Sequence, residues 1–92
     1  MRFKADLHEF LNEHLEAMAE SHLEGWADRY KDYCVSDLEY DLEVNHDDSC
    51  EIEWAKDELN REMTSEEIRF LCKKFHEKVV NLYRNKIKEL LN

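Results

Sequence analysis

The chain predicts one small α+β domain, spanning residues 1–92: a long N-terminal helix, an acidic β-hairpin and a long C-terminal amphipathic helix around one core. Three patterns predict it. Apolar residues recur at helical spacing over roughly residues 4–33, alternate with acids over residues 37–44, and return to helical spacing after the sequence "TSEE". With 42% hydrophobic and 11% aromatic residues, a chain of 92 residues has enough apolar material for a packed domain rather than a disordered one.

In the first segment Leu7, Phe10, Leu11, His14, Leu15, Met18 and His22 share one helical face, with Trp26 at its edge. Gly25 either bends or interrupts this helix. Nearly opposite the apolar face, "DLHEFLNEHLEAMAESHLE" places Asp6, Glu9, Glu13, Glu16, Glu20 and Glu24 in one narrow row with no cation among them. Like charges at such spacings weaken a helix by roughly 0.2–0.5 kcal/mol per pair. A row of this kind asks for a reason.

In the second segment "SDLEYDLEVN" puts Leu38, Tyr40, Leu42 and Val44 on one side of a strand and Asp37, Glu39, Asp41 and Glu43 on the other. "NHDDS" (Asn45 to Ser49) is turn chemistry, and "CEIEWAK" resumes the alternation, with Ile52 and Trp54 opposing Glu51 and Glu53. Leu38 and Leu42 are also helix-spaced, so an all-α fold is the alternative. A lone hairpin is marginal in water and its edges are open to pairing. It must lie on a helix, and pairing across its edge predicts a homodimer.

The third segment opens with a capping box, Thr64 as N-cap and Glu67 reaching back, with acids in the positively polarised first turn. Ile68, Leu71, Cys72, Phe75, Val79, Leu82, Tyr83, Lys86, Ile87 and Leu90 follow the helical stripe. Phe70 falls outside it, and Val80 and Leu91 widen one flank.

Net charge is −10 and unevenly placed: residues 1–63 hold 19 acids against 6 bases, and residues 64–92 hold 4 against 7. Such a surface is repelled by nucleic-acid phosphates and anionic lipid, so direct nucleic-acid binding and membrane association are excluded and a basic protein partner is expected. No apolar run is long enough to cross a bilayer, and "MRFKADLHEF" lacks a signal-peptide core. Cys34, Cys50 and Cys72 form no CxxC pair, which fits a reducing cytoplasm.

Catalytic and metal chemistry find little support at this level. The five histidines include no HExxH pair, and His8, His14 and His22 are not spaced four apart. "NHDDSCE" groups His46, Asp47, Asp48 and Cys50 without calcium-loop spacing, and reads as a solvated turn. Cys72 and His76 are four apart, yet Cys72 lies in an apolar stripe with nothing to depress its thiol pKa. The expectation is a non-enzyme with no cofactor and no resident metal. The basic residues of the last helix (Arg69, Lys73, Lys74, Lys78, Arg84, Lys86, Lys88) read as a solvated face.

The acidic rows remain. A helical row carries a charge every ~5.4 Å over about 27 Å, a strand row one every ~6.8 Å, and duplex DNA one phosphate per ~3.4 Å on each strand. Several rows are therefore needed to imitate DNA, and three are expected here: the helix, Asp37 to Glu43, and Glu51 with Glu53. In length, acidity and helix-rich character, carried by "DLHEFLNEHLEAMAESHLE", "SDLEYDLE" and "CEIE", the chain resembles the DNA-mimic anti-restriction nuclease (Arn) family of bacteriophages. That resemblance implies an acidic dimer in the host cytoplasm, occupying the DNA site of a modified-cytosine-dependent restriction endonuclease. The expected contacts are Asp6, Glu9, Glu13, Glu16, Glu20, Glu24, Asp37, Glu39, Asp41, Glu43, Glu51 and Glu53. The alternative is a protein–protein adaptor binding through Phe70, Leu91, Tyr30 and Tyr33, its acids serving solubility.

Overall fold

The computed structural model describes residues 5–25, 35–44 and 46–91. Trp26, Tyr30, Tyr33, Cys34 and Asn45 lie outside the described residues, as do the side chains of Leu90 and Leu91. Four helices make up the described chain: α1 (Ala5–Glu24), α2 (Val35–Val44), α3 (Ser49–Leu59) and α4 (Ser65–Leu91). Helices α1, α2 and α3 all pack on α4, and α1 also packs on α3. None of these helices is long and apolar enough to cross a membrane.

The predicted α+β class is therefore corrected to the all-α alternative: the described residues contain no strand, and α2 and α3 stand where the hairpin was expected. Burial shows why. A strand would turn Leu38, Tyr40, Leu42 and Val44 to one face, whereas Leu38 and Leu42 are 0% and 2% exposed and Tyr40 and Val44 are 63% and 59% exposed. Only the pair four residues apart enters the core, as a helix requires. Leu and Glu favour helix, while Tyr and Val, the β-formers here, are the residues left in solvent. No strand edge exists among the described residues, so the reason for expecting a homodimer across such an edge falls away.

"NHDDS" does turn the chain, but between two helices. The His46 N–H donates to the Asp41 carbonyl at 2.9 Å, and Asp47 Oδ1 accepts from the Ser49 N–H at 3.0 Å as α3 begins. Helix α3 ends on Asn60, held in the left-handed conformation (φ 54°, ψ 42°) with its N–H on the Lys56 carbonyl. Asparagine tolerates that conformation better than most residues carrying a Cβ. Gly25 lies in the turn after α1, its N–H on the His22 carbonyl at 3.2 Å, and the rest of the helical pattern expected to residue 33 lies outside the described residues.

The core is built along α4. Leu71, Phe75, Val79 and Tyr83 are all 0% exposed and meet Leu7, Phe10, Leu11, Met18, Ala19 and Leu23 of α1, Leu38 and Leu42 of α2, and Ala55 of α3. Phe70 also packs against this core, its ring edge-on to His8 with centroids 5.9 Å apart and Lys74 Nζ 5.6 Å above it.

The capping box forms as expected. The Thr64 N–H donates to Glu67 Oε1 at 2.9 Å, and the Glu67 N–H to Thr64 Oγ1 at 3.2 Å. Arg61, to which the sequence assigned no role, completes it. Its guanidinium donates to Asp6 (Nε to Oδ2 and Nη2 to Oδ1, both 2.9 Å) and to Glu67 (Nη2 to Oε2, 2.8 Å; Nη1 to Oε1, 3.1 Å). One cation thus ties the start of α1 to the start of α4. The Arg61 bonds, and then the Thr64 N–H, hold the Glu67 carboxyl at about 2, well below its ordinary 4.5.

Two outcomes follow. Arg61→Ala leaves the buried Glu67 without its cation and lowers unfolding free energy by about 1–3 kcal/mol, measured by urea denaturation at neutral pH. The contribution of Glu67 is complete above about 4.5 and is lost as pH falls toward about 2. Glu67→Gln, which keeps the cap acceptor but not the charge, therefore gives a flatter decline of the urea midpoint over that interval than wild type.

Candidate functional site

The acidic row of α1 survives as a solvent face. Glu9, Glu13, Glu16, Glu20 and Glu24 are all exposed, running along one side of a 20-residue helix. Asp6, at the head of the row, is half-buried and engaged by Arg61. Glu16 Oε1 lies 3.7 Å from Lys78 Nζ of α4, and Glu13 Oε2 lies 3.8 Å from His14 Nε2. Packing of α3 beside α1 adds acids that the sequence did not bring into this group. A cleft of about 180 Å³ between the two helices is lined by Asp6, Glu9 and Glu13 from one side and Glu58 from the other, with His14 between. Glu53 and Asp57, one turn apart on α3, are exposed as well.

The other nominated acids part company. On a helix, Asp37 and Asp41 stack on one side and Glu39 and Glu43 on another, so the row drawn along a strand does not exist. Asp37, Glu39 and Glu43 are exposed and Asp41 is half-buried. Glu39 Oε1 approaches Arg84 Nη2 at 3.5 Å across a groove of about 350 Å³ between α2 and α4. Leu42 and Val80 also line that groove, beside Glu43 and Glu77. Glu51 and Glu53 are separated too. Glu53 faces solvent near Lys56, while Glu51 is 9% exposed and turned inward.

Glu51 enters a second constellation that sequence spacing did not reveal. The end of α1 brings His22, the turn before α3 brings His46 and Asp48, α3 brings Glu51, and α4 brings Cys72 and His76. His46 Nε2 is 3.3 Å from Glu51 Oε1 and 3.5 Å from Asp48 Oδ1, and His76 Nε2 is 3.0 Å from the same Asp48 oxygen. The rings of His22 and His46 meet edge to face with centroids 4.6 Å apart, both against Phe75. Two atoms in this group, His22 Nε2 and Glu51 Oε2, are buried with no hydrogen-bond partner among the described residues. One ligand atom from each of His22, His46 and Glu51 can be chosen so that all three lie within 4.8 Å of one another.

Burial lowers the His22 pKa, and the neighbouring His46 lowers it further, against the opposing pull of Asp41 and Asp48. The same interior acts on Cys72. Burial, then the charge of Asp48 and its hydrogen bond, then Glu51, push the thiol up to about 12. A nucleophilic cysteine needs the opposite. Burial first, and then Asp48 lying against both side chains, therefore work against an activated thiol at the Cys72–His76 pair.

Only weak signals marked this constellation in the sequence: three histidines on different segments and a turn rich in His and Asp. No spacing rule joins residues 22, 46 and 51, since a tertiary contact brings them together. No protein-family model, curated protein or solved structure matches the chain.

The two described cysteines differ in a checkable way. Cys50 is exposed and Cys72 is half-buried with a raised pKa. At pH 8, peptide mapping after limited iodoacetamide treatment should find Cys50 alkylated at least tenfold faster than Cys72.

Proposed function

We propose that this protein is a DNA mimic that inhibits a DNA-binding protein or restriction nuclease of a host cell by occupying its basic cleft. The observation that carries this reading is the exposed carboxylate row of α1, Glu9 to Glu24, beside the exposed acids of α3. Each helix supplies one line of charge, as each strand of a duplex does, though at lower density. Lys and Arg side chains of the cleft engage carboxylates through charge-assisted hydrogen bonds. The mimic offers no bases, so selectivity between clefts rests on shape and charge spacing.

The contact set is narrower than the twelve acids nominated from sequence. Asp6 is engaged by Arg61 and Glu51 is interior, so both are structural residues in this reading. Glu9, Glu13, Glu16, Glu20 and Glu24 form the main face, joined by Glu53, Asp57 and Glu58. Asp37, Glu39, Asp41 and Glu43 contribute only diffuse charge. A homodimer in the host cytoplasm would extend the face, but one copy already presents both lines. The adaptor alternative loses an anchor, because Phe70 packs between His8 and Lys74.

The test is a tagged pull-down from nuclease-treated bacterial lysate across a salt series, with wild type beside Glu9/Glu13/Glu16/Glu20→Gln. Wild type should enrich DNA-binding proteins at low salt and release them as salt rises. The variant should lose at least tenfold of that capture while unfolding at a free energy equal to wild type or up to about 2 kcal/mol higher, since the four repulsive pairs Glu9–Glu13, Glu13–Glu16, Glu16–Glu20 and Glu20–Glu24 are gone. Equal capture by both proteins at high salt would overturn the mimic reading in favour of the adaptor.

A further inference from the structure

We propose that His22, His46 and Glu51 form a binding site for a divalent late first-row transition ion of the Zn²⁺ class. This site is independent of the acidic face, which lies on the opposite side of α1. Two orphaned atoms point to it. A carboxylate oxygen and an imidazole nitrogen buried without partners are each costly, and here they occur in one small group. Glu51 Oε2 is itself buried, so that oxygen makes no contact with bulk water. A cation placed between the three side chains satisfies both orphans at once, and a hydrogen bond from His46 to Glu51 cannot.

The donor set selects the ion. Two imidazoles and one carboxylate suit Zn²⁺ and its neighbours, whereas Mg²⁺ and Ca²⁺ take oxygen ligands. Three protein ligands with an open fourth position is a familiar zinc arrangement. Charge also balances: neutral imidazoles leave Glu51 and the adjacent Asp48 to offset a charge of +2. The geometry needs only a small contraction. Tetrahedral bonds of about 2.0–2.1 Å hold ligand atoms roughly 3.4 Å apart. The chosen atoms here lie within 4.8 Å, and His46 Nε2 and Glu51 Oε1 are already at 3.3 Å.

Two further features support the site. Asp48, fixed at 3.0 Å by His76 of α4, lies 3.5 Å from His46 Nε2, placing a second carboxylate beside the ion. A cleft of about 140 Å³ between α1 and α3, lined by Ser21, His22, Cys50 and Glu51 among others, opens beside two of the three ligands. An ion and a fourth, water ligand would enter from that side. Because its ligands come from α1, the turn before α3 and α3 itself, the ion would clamp these three elements together.

The test uses the full chain stripped with EDTA and desalted, titrated with Zn²⁺ by calorimetry and followed by long-range ¹H–¹⁵N spectra of the histidine rings. One Zn²⁺ per chain should bind at micromolar or lower Kd, with the ring nitrogens of His22 and His46 shifting and those of His8 and His14 unmoved. The melting midpoint should rise by at least ~4 °C with excess Zn²⁺ and not with Mg²⁺. Glu51→Gln and His22→Gln should each weaken binding at least tenfold, while Glu9/Glu13/Glu16/Glu20→Gln leaves it unchanged. Absence of stoichiometric binding by wild type would overturn the site, as would ring shifts confined to His8 and His14. The spectra of wild type decide the matter even where a variant folds poorly.

Discussion

The four buried side chains of α4 at four-residue intervals, Leu71, Phe75, Val79 and Tyr83, hold every other helix in place. Four residues exceed one helical turn, so a ridge of this spacing winds around the helix by about 40° per step. Over three steps it sweeps about a third of the circumference. One ridge therefore serves several neighbours. Phe75 meets His22 of α1 and His46 before α3, while the next turns, through Val80 and Arg84, face the groove shared with α2. A chain with one glycine and no proline has few other means of fixing where its helices lie.

This dependence explains how α1 tolerates its charge. The repulsion along Glu9 to Glu24 weakens α1 as an isolated helix, yet most helical stability in a protein comes from burying an apolar face. Leu7, Phe10, Leu11 and Met18 supply that face, and Asp6 is drawn into the Arg61 clamp rather than left to repel Glu9. Packing and charge thus lie on opposite sides of the same helix. The acids are a surface property that the core can support, which is why their removal is expected to act on binding rather than on the fold.

A second segregation runs through the interior. Most of the core is aliphatic and aromatic, but near the end of α1 it gives way to imidazoles and carboxylates. The burial that pushes the Cys72 thiol up and the His22 pKa down is the burial that leaves Glu51 Oε2 and His22 Nε2 unsatisfied. Burial there works against the thiolate form of Cys72 and against a charged imidazole at His22. The outer acids and the inner group are both rich in carboxylate, but their solvation makes them chemically different. Glu53 faces water, and Glu51, two residues away, does not.

The sequence by itself determined what depends on neighbours along one helix. The capping box at Thr64 and Glu67, the stripe of α4 and the acidic row of α1 all follow from spacings of three and four residues; the cap forms as read, while Arg61 draws Asp6 out of the row and Lys86 of the stripe stays in solvent. The span 37–44 resisted that logic because Leu38 and Leu42 satisfy both a period of two and a period of 3.6. Only contact with α4 selected those two and left Tyr40 and Val44 in water. Tertiary structure likewise decided that Arg61 joins two helix starts, that Glu51 turns inward, and that His22 meets His46. Those pairings are set by how helices lie across one another, and no local spacing encodes that.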